Sequence, residues 1–512
     1  MFRRSLRSLA LSAAVLTGLT ATAQATWSIV LVDTATGEVA IGCATCLEGL
    51  DLEIYVPVVL AGVGGACAQS SIDTTGRNRR YIWDELQKGT SPKDILTGLA
   101  GLDSSHQSRQ YGIVDMKGRR ITFTGSQCGA WAGGVAGKRG TIIYAIQGNV
   151  LTGQPVISDA EDAIRNTDGD LAERLMAGME AAQADGGDGR CSCDPAAPTR
   201  CGSPPAGFDP DTDKSAHIGF MLVTRVGDLD GVCNRIDGCS NGSYYMDLNV
   251  ANQNASDPDP VIQLRDLFDD WRATWVGRPD HIKSTKILDV PSLPANGTRQ
   301  ATLTVDLRDW QDLAVGHGGA SITVRHAPNS AGSSAIGAPQ DHGDGTYSIP
   351  LTAGLASGTD EFEVVVDDGL GPVTLYPNPT LVVAPALTAS AASISASAGA
   401  TIDFALTGPD ASPPAAYLLL CSASGTVPGL DLGHVNLPLN YDTVLIASYV
   451  LRNTEVFVST DGVLALDATA AAQLVVDPDE LTPLVGGSLA FAFFTHDPVT
   501  FASPPLLLAI DD

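Results

Sequence analysis

The apolar pattern of the chain changes its period near Trp275, and that break constrains the fold more than any single motif. Upstream, strand-like alternation is interleaved with helical spacing. Downstream, short alternating runs follow one another as in an all-β region. In the upstream half, "TWSIVLVD" and "EVAIGCAT" flank the turn "TATGE" and predict a hairpin, and "VPVVLAGVGGACAQSS" adds a Gly-rich strand region. "RNRRYIWDELQKG" predicts a helix, with Arg77, Arg79 and Arg80 read as a solvated face. "TSPKDILTGLAGL" predicts a second, with Ser91 as N-cap and Pro92 at the first helical position. "QYGIVDMKGRRITFTG" predicts another hairpin and "GTIIYAIQGNV" a strand. "SDAEDAIRN" and "DLAERLMAGMEAAQA" predict a second helix pair, the latter with Leu171, Leu175 and Met179 on one face. "AHIGFMLVTR" returns to strand and "DPVIQLRDLFDDWRATW" to helix.

This order predicts an α+β unit over residues 26–276, two helix pairs flanking a pair of packed sheets. After a linker, "VGRPDHIKSTKILDVPSLPANG", the runs "RQATLTVDL", "SITVRH", "TYSIPLT" and "DEFEVVVDDG" predict a β-sandwich over 285–384. "YPNPTLVVAPA" reads as a second linker, and residues 386–512 as another β-sandwich with almost no Lys or Arg. Residues 1–25 read as a secretory signal: Arg3, Arg4 and Arg7 precede an apolar core and a small-x-small ending. The expected location is therefore extracellular, cell-surface or periplasmic, without membrane insertion after processing.

A net charge of −28 argues against nucleic acid and against an anionic membrane surface. Nine of the ten cysteines precede residue 240. Export makes disulfides the expected state, and an odd count leaves at least one thiol there without a partner within that region. The usual catalytic and metal signatures do not hold up. Gly238-Cys239-Ser240-Asn241-Gly242 has the nucleophile-elbow spacing but lacks the strand before it and the helix after it. Only His106 and His217 lie in the α+β region, and His217 reads as an ordinary strand histidine. Cys43 and Cys46 sit at a strand end, not at the helix start that a redox pair needs. "CSCDPAAPTRC" and "CNRIDGC" match no standard zinc spacing. "NTDGDLAE" places Asn166, Asp168 and Asp170 at calcium-loop spacing, but Ala177 stands where the bidentate Glu belongs, so Asp170 reads as a helix cap. No metal and no cofactor are expected from these patterns.

The stretch "ATAQATWSIV" allows a different chemistry. A cut after Ala23 leaves Gln24 first; a cut after Ala25 leaves Thr26 first. An N-terminal threonine carries a hydroxyl and an α-amine, and the amine has a reference pKa of about 7.7–8.0. Its neutral form can take the hydroxyl proton, so no histidine is required.

The segments "TWSIVLVDTATGEVAIGCA", "GVGGACAQ", "RQYGIVDMKGRRITFTGSQCGAWAGG", "IQGNVLTG", "LAERLMAGMEAAQADGGDGR" and "DPVIQLRDLFDDW", in this order, resemble the DUF1028 family, whose members look like N-terminal-nucleophile (Ntn) hydrolases. The resemblance implies an αββα four-layer sandwich over 26–276. It implies Thr26 as nucleophile acting on an unidentified amide or peptide. Asn149, within Gln147-Gly148-Asn149, is an oxyanion candidate or a turn cap. Gln69, Ser71, Gln147 and Arg190 are candidates to line the cleft, Arg190 as a carboxylate binder. The proteasome-like branch places a lysine on an early strand. Here the first lysine after Thr26 is Lys88, in a predicted helix. The mechanism implied is then the penicillin-acylase-like version, or the fold is kept without catalysis. The two β units resemble bacterial Ig-like domains, which implies spacing or cell-surface or cell-wall contact. Two functions follow: a secreted amidohydrolase, or a non-catalytic binding protein on an Ntn scaffold.

Overall fold

Gly37 has φ 75°, a left-handed turn that folds the first strand, β1 (Thr26–Asp33), back on β2 (Glu38–Thr45). In the computed structural model, residues 26–194, 196–330, 334–410 and 413–512 are described, so the signal-peptide reading of 1–25 lies outside them. The chain divides into two units, one ending at Arg272 and one starting at Ala273.

After β2 the first unit runs through α1 (Leu52–Tyr55), β3 (Pro57–Leu60), β4 (Gly64–Ser70), α2 (Arg77–Gln87) and α3 (Pro92–Leu102). It continues with β5 (Arg109–Asp115), β6 (Arg120–Thr124), β7 (Ala132–Arg139), β8 (Ile142–Asn149), α4 (Pro155–Asn166) and α5 (Leu171–Ala184). The short α6 (Gly189–Ser192), β9 (Ile218–Thr224), β10 (Met246–Val250) and α7 (Pro260–Thr274) complete it. The unit is mixed α+β. One sheet has the order β10-β9-β2-β1-β8-β7 and the other β3-β4-β5-β6, all neighbours antiparallel.

Local chemistry sets the helix starts. The Ser91 hydroxyl accepts from the Asp94 amide with Pro92 in the first turn, and the Asp170 carboxylate accepts from the Glu173 amide. The solvated-face reading of the α2 arginines fails at Arg79. Its side chain is buried and its guanidinium donates to the Ile54 carbonyl, because it lies on the same helix flank as the core residues Ile82, Trp83 and Leu86.

Strand parity decides what each sheet face buries. Val58, Leu60, Ala66, Ala68, Tyr111 and Ile113 pack with Ile82, Leu86, Ile95 and Leu99 of α2 and α3. Val30, Val32, Val39, Ile41, Cys43, Cys67, Val114, Ile143 and Ala145 form a separate apolar layer. These residues alternate with the first set on β4 and β5, so they face the other way. Helix α5 buries Leu171, Leu175, Met176 and Met179 and packs on β1 and β2.

In the second unit, Thr285–Leu288, Gln300–Asp306, Thr346–Thr352 and Ala335–Ile336 form one sheet, which Gln340–Asp341 joins on Thr346–Thr352. A second sheet holds Ser292–Pro294, Thr380–Ala384, Gly358–Asp367, Ser321–His326 and Pro372–Leu375. Both stretches read as linkers therefore contain paired strands: Ser292–Pro294 pairs in parallel with Thr380–Ala384. The Pro and Gly residues there mark edges of short strands; they do not break the pairing. Two further sheets, on Ala400–Thr407 with Thr469–Val476 and on Ala416–Ser422 with Ser488–His496, make a second β-sandwich. It carries a helix, Thr443–Val450, that the all-β reading did not include. Its N-cap is Asp442, whose carboxylate accepts from the Leu445 amide. Cys421 is buried, as expected from its apolar strand.

Candidate functional site

The apolar layer on β1, β2, β4, β5 and β8 turns polar at one end. Continuing the same parity, Val30 and Val32 give way to Ser28 and Thr26, Ile41 and Cys43 to Thr45, Cys67 to Gln69, and Val114 to Gln110. On β8, Ile143 and Ala145 give way to Gln147 and Asn149. All seven of the polar residues Thr26, Ser28, Thr45, Gln69, Gln110, Gln147 and Asn149 are buried. Groups so placed must bond one another, because an unpaired buried amide or hydroxyl costs about 1–3 kcal/mol.

Six of them, Thr26, Ser28, Thr45, Gln69, Gln110 and Gln147, do so in a connected network. Thr26 Oγ1 donates to Thr45 Oγ1 at 3.4 Å, and Thr26 lies opposite Asn149 in the β1–β8 register. Gln69 Nε2 donates to Gln110 Oε1 at 2.9 Å and to the carbonyls of Thr26 and Gln147 at 3.2 and 3.3 Å. Gln110 Nε2 donates to the Gly148 carbonyl at 2.8 Å and to Thr124 Oγ1 at 2.9 Å. Gln147 Nε2 donates to Ser28 Oγ at 2.5 Å. Its amide fits because residue 112 on the facing strand is glycine; a Cβ there would collide with Gln147 Oε1. Gln69 Oε1 is buried with no hydrogen-bond partner among the described residues.

A charged pair adjoins the network. Asp188 is fully buried and caps α6. Its carboxylate accepts from the Cys46 amide at 2.7 Å and from the Arg190 guanidinium at 2.7 and 3.1 Å. Arg190 also donates to Thr45 Oγ1 at 3.3 Å, which links the pair to Thr26 through one hydroxyl. A disulfide between Cys46 and Cys191 fastens α6 to the end of β2, across a sequence separation of 145 residues. Arg190 is thus held in place covalently and electrostatically.

Of the residues named from sequence, Thr26, Asn149, Gln69, Gln147 and Arg190 lie in or against this network. Ser71 does not: it is exposed past β4, its carbonyl takes the Arg109 guanidinium, and among the described residues it shares no hydrogen bond with the Thr26 group. Sequence reasoning missed Ser28, Thr45, Gln110 and Asp188. Strand parity marks the first three, since each continues an inward-facing apolar series. Asp188 stood out only as part of a Gly-rich helix end.

The remaining nucleophile candidates are closed off. Cys239 is bonded to Cys233 and Ser240 donates to the Glu53 carbonyl, so the elbow-like spacing is a loop tied to α1. Burial pushes the Cys67 thiol up to about 12 and raises Cys43 well above its ordinary value, so neither forms a thiolate at neutral pH. Cys193 pairs with Cys201, leaving Cys43, Cys67 and Cys128 as the free thiols of this unit. Cys46, Cys191 and His217 have ligand atoms close enough for one metal ion, but the two sulfurs are bonded to each other. Burial holds His217 below its ordinary pKa, so it is neutral at pH 7, with Nδ1 at 3.3 Å from Glu48. It is more than the plain strand histidine the sequence suggested: it lies against the disulfide, 3.7 Å from Cys46 Sγ.

Among the described residues no helix is long and apolar enough to cross a membrane. Residues 26–197 match DUF1028, a family of unknown function, and residues 280–375 match domain 3 of invasin. No curated protein is significantly similar to the chain. A DUF1028 protein of known structure from Silicibacter pomeroyi is 20% identical, with a TM-score of 0.35, over 48% of this chain and 88% of its own. The adhesin InvE from Yersinia pseudotuberculosis is 16% identical, with a TM-score of 0.18, over 44% of this chain and 58% of its own. Invasin, a bacterial integrin-binding protein, is 12% identical, with a TM-score of 0.19, over 94% of this chain and 60% of its own. At such scores the structural likenesses carry no argument. The chain carries a DUF1028 region at residues 26–197 followed by a region of the invasin domain 3 type at residues 280–375.

Proposed function

We infer that this is an extracellular surface-binding protein whose all-β unit makes the contact and whose N-terminal unit serves as a stable scaffold. The observation that carries the reading is the solvent face of the helix Thr443–Val450. Ile446, Tyr449 and Val450 stand at i, i+3 and i+4 and are 41%, 49% and 65% exposed, while Leu445 and Ser448 face the core. Large apolar side chains grouped on one exposed helix face mark an interaction surface. The match to invasin domain 3 in the same unit supports adhesion, and three disulfides support an oxidising location. The partner fitting this face is a cell-surface protein with an apolar contact patch.

The test is saturable binding of the purified full chain to cultured cells, measured by flow cytometry. Wild type and Thr26→Ala bind alike. The triple variant Ile446→Ser, Tyr449→Ser, Val450→Ser loses at least about tenfold, since each tenfold needs only about 1.4 kcal/mol. Absence of saturable binding by the wild type overturns the reading.

A second reading keeps Thr26 as the nucleophile of an amidohydrolase on an αββα core. It is favoured by one observation: the Thr26 hydroxyl, the Thr45 hydroxyl and the Arg190–Asp188 pair form one chain at the head of β1. The helix α5 against β1 and β2, and α2 and α3 against the other sheet, support the four-layer assignment. The reaction needs a cut between Ala25 and Thr26. The freed amine takes the hydroxyl proton, the oxygen adds to the amide carbonyl, the amine product leaves, and water releases the acyl group. N-terminal sequencing of the exported chain, followed by electrophile labelling of wild type against Thr26→Ala, tests it. A mature chain starting at Gln24, or equal labelling of the two, rejects it.

A further inference from the structure

Cys46, Cys191 and His217 are far apart in sequence and meet at the end of β2, next to the Arg190–Asp188 pair. Their backbones are fixed by hydrogen bonds that do not involve the sulfurs. The Cys46 amide donates to the Asp188 carboxylate at 2.7 Å, and the Cys191 amide donates to the Asp188 carbonyl at 2.9 Å. The His217 amide donates at 2.9 Å to the carbonyl of Thr45, the residue before Cys46. Opening the disulfide therefore leaves the three side chains facing one another.

Their spacing is that of a metal site. One ligand atom from each lies within 4.8 Å of the other two. Both ring nitrogens of His217 lie close to Cys46 Sγ, Nε2 at 3.7 Å and Nδ1 at 3.8 Å. Zinc bonds of about 2.3 Å to sulfur and about 2.0–2.1 Å to nitrogen, at the tetrahedral angle, set those atoms about 3.6 Å apart. Glu48 Oε1 is 3.3 Å from His217 Nδ1, which leaves Nε2 for the metal. A zinc-bound histidine characteristically gives its second N–H to a carboxylate, which fixes the tautomer and the ring orientation. Cys191 also lines a cavity of about 220 Å³ with Ser192, Phe208, Asp213 and Lys214. The cavity gives an entry path and room for a water as the fourth ligand.

We propose that the reduced form of this trio is a zinc site made by Cys46 Sγ, Cys191 Sγ and His217 Nε2. Helix α6 is then fastened to the end of β2 by the disulfide in oxidising surroundings and by zinc in reducing ones. A dithiol reductant opens the bond by thiol–disulfide exchange. The reductant closes into its own disulfide, and its two protons and two electrons pass to Cys46 and Cys191 as thiols. Zinc displaces both thiol protons, and the two thiolates balance its charge. Two soft sulfurs and an imidazole select zinc over calcium or magnesium. In either form Arg190, the residue before Cys191, stays beside Thr45.

The experiment compares the oxidised full chain with the same chain reduced by dithiothreitol and freed of it by anaerobic gel filtration. Each is titrated with ZnCl2 in competition with a chromophoric chelator, and the reduced chain with CoCl2 by absorption. Oxidised wild type competes for no zinc. Reduced wild type gains a tight site, and its cobalt form shows thiolate charge transfer and tetrahedral d–d bands. The other disulfides open too, so variants assign the site. Cys193→Ser with Cys201→Ser keeps it, and Cys46→Ser with Cys191→Ser removes it. His217→Ala, whose disulfides still form and hold the oxidised fold, weakens zinc at least about tenfold, and Glu48→Gln weakens it about tenfold. Zinc also raises the unfolding midpoint of the reduced wild type. A reduced wild type that competes for no zinc overturns the proposal. So does tight binding that survives Cys46→Ser with Cys191→Ser, or equal affinity in His217→Ala and wild type.

Discussion

Both units bury apolar layers, but only the first also buries a polar network between its sheets. The N-terminal unit seals a polar network between strands, from Thr26 and Thr45 through Gln69 and Gln110 to Gln147. The second unit has a continuous apolar core, with Leu303, Tyr347, Phe362, Phe404, Phe491 and Phe493 in one cluster, and sets apolar side chains outside on its helix. A polar interior gives specificity to one packing but contributes little net stability, whereas apolar burial does the reverse. The first unit is accordingly cross-linked, with three disulfides. The second has a single cysteine and no disulfide among its described residues. The difference teaches that the buried network has one long-range covalent tie beside it, Cys46–Cys191, while the second unit rests on its apolar core alone among the described residues.

Mutations that strike each kind of interior separate the two. Phe491→Ala empties part of the shared core of the second unit and costs about 3–5 kcal/mol, seen as loss of that unit's unfolding transition to lower temperature. Breaking the Cys46–Cys191 bond with paired serine substitutions costs about 2–5 kcal/mol in the first unit only. Reducing agent does the same to the wild type, while the second transition stays where it was. Were both transitions to move together, the units would not be energetically separate. Gln110→Leu removes the side-chain donor to the Gly148 carbonyl and one of the three acceptors of Gln69 Nε2, and costs about 1–3 kcal/mol by denaturant unfolding. A neutral outcome would mean that the network is not what holds the sheets in register.

Smaller effects test the helix. At Asp442, burial opposes ionisation, but the Leu445 amide, Ser422 and Ser424 outweigh it and hold the carboxyl at about 2. Its folded pKa is below its unfolded value of about 3.9, so the cap stabilises above that pH and weakens as pH falls toward about 2. Asp442→Asn keeps a capping side chain and makes this part of the acid transition flat. Tyr449→Ser changes stability by no more than about 0.5 kcal/mol, because its side chain faces solvent, yet weakens partner binding.

Much of the first unit was legible because its signals are local. The turn before β2, the Ser91 and Asp170 caps, and the Leu171–Leu175–Met179 face each rest on residues a few positions apart. What was not legible depends on distant partners. Cys46 and Cys191 give no hint of each other across 145 residues. Arg79 looks like surface until the Ile54 carbonyl is beside it. The helix Thr443–Val450 is rich in β-branched and aromatic residues, so propensity favours a strand; the Asp442 cap and the packing of Leu445 override that preference. At the polar end of the sheets, Gln69 stands out by its place beyond a Gly-rich strand and Gln147 by its place after an apolar one. Thr45 and Gln110 needed the alternation to be followed to the strand ends.

The most direct test of the account is the binding of three forms of the full chain to the same cell surface, with amide hydrolysis measured in parallel. The account predicts saturable binding for wild type and for Thr26→Ala at equal strength, and its loss in the Ile446→Ser, Tyr449→Ser, Val450→Ser variant. A wild type that binds no surface but hydrolyses an amide, with Thr26→Ala inactive, would contradict it and place the function in the first unit.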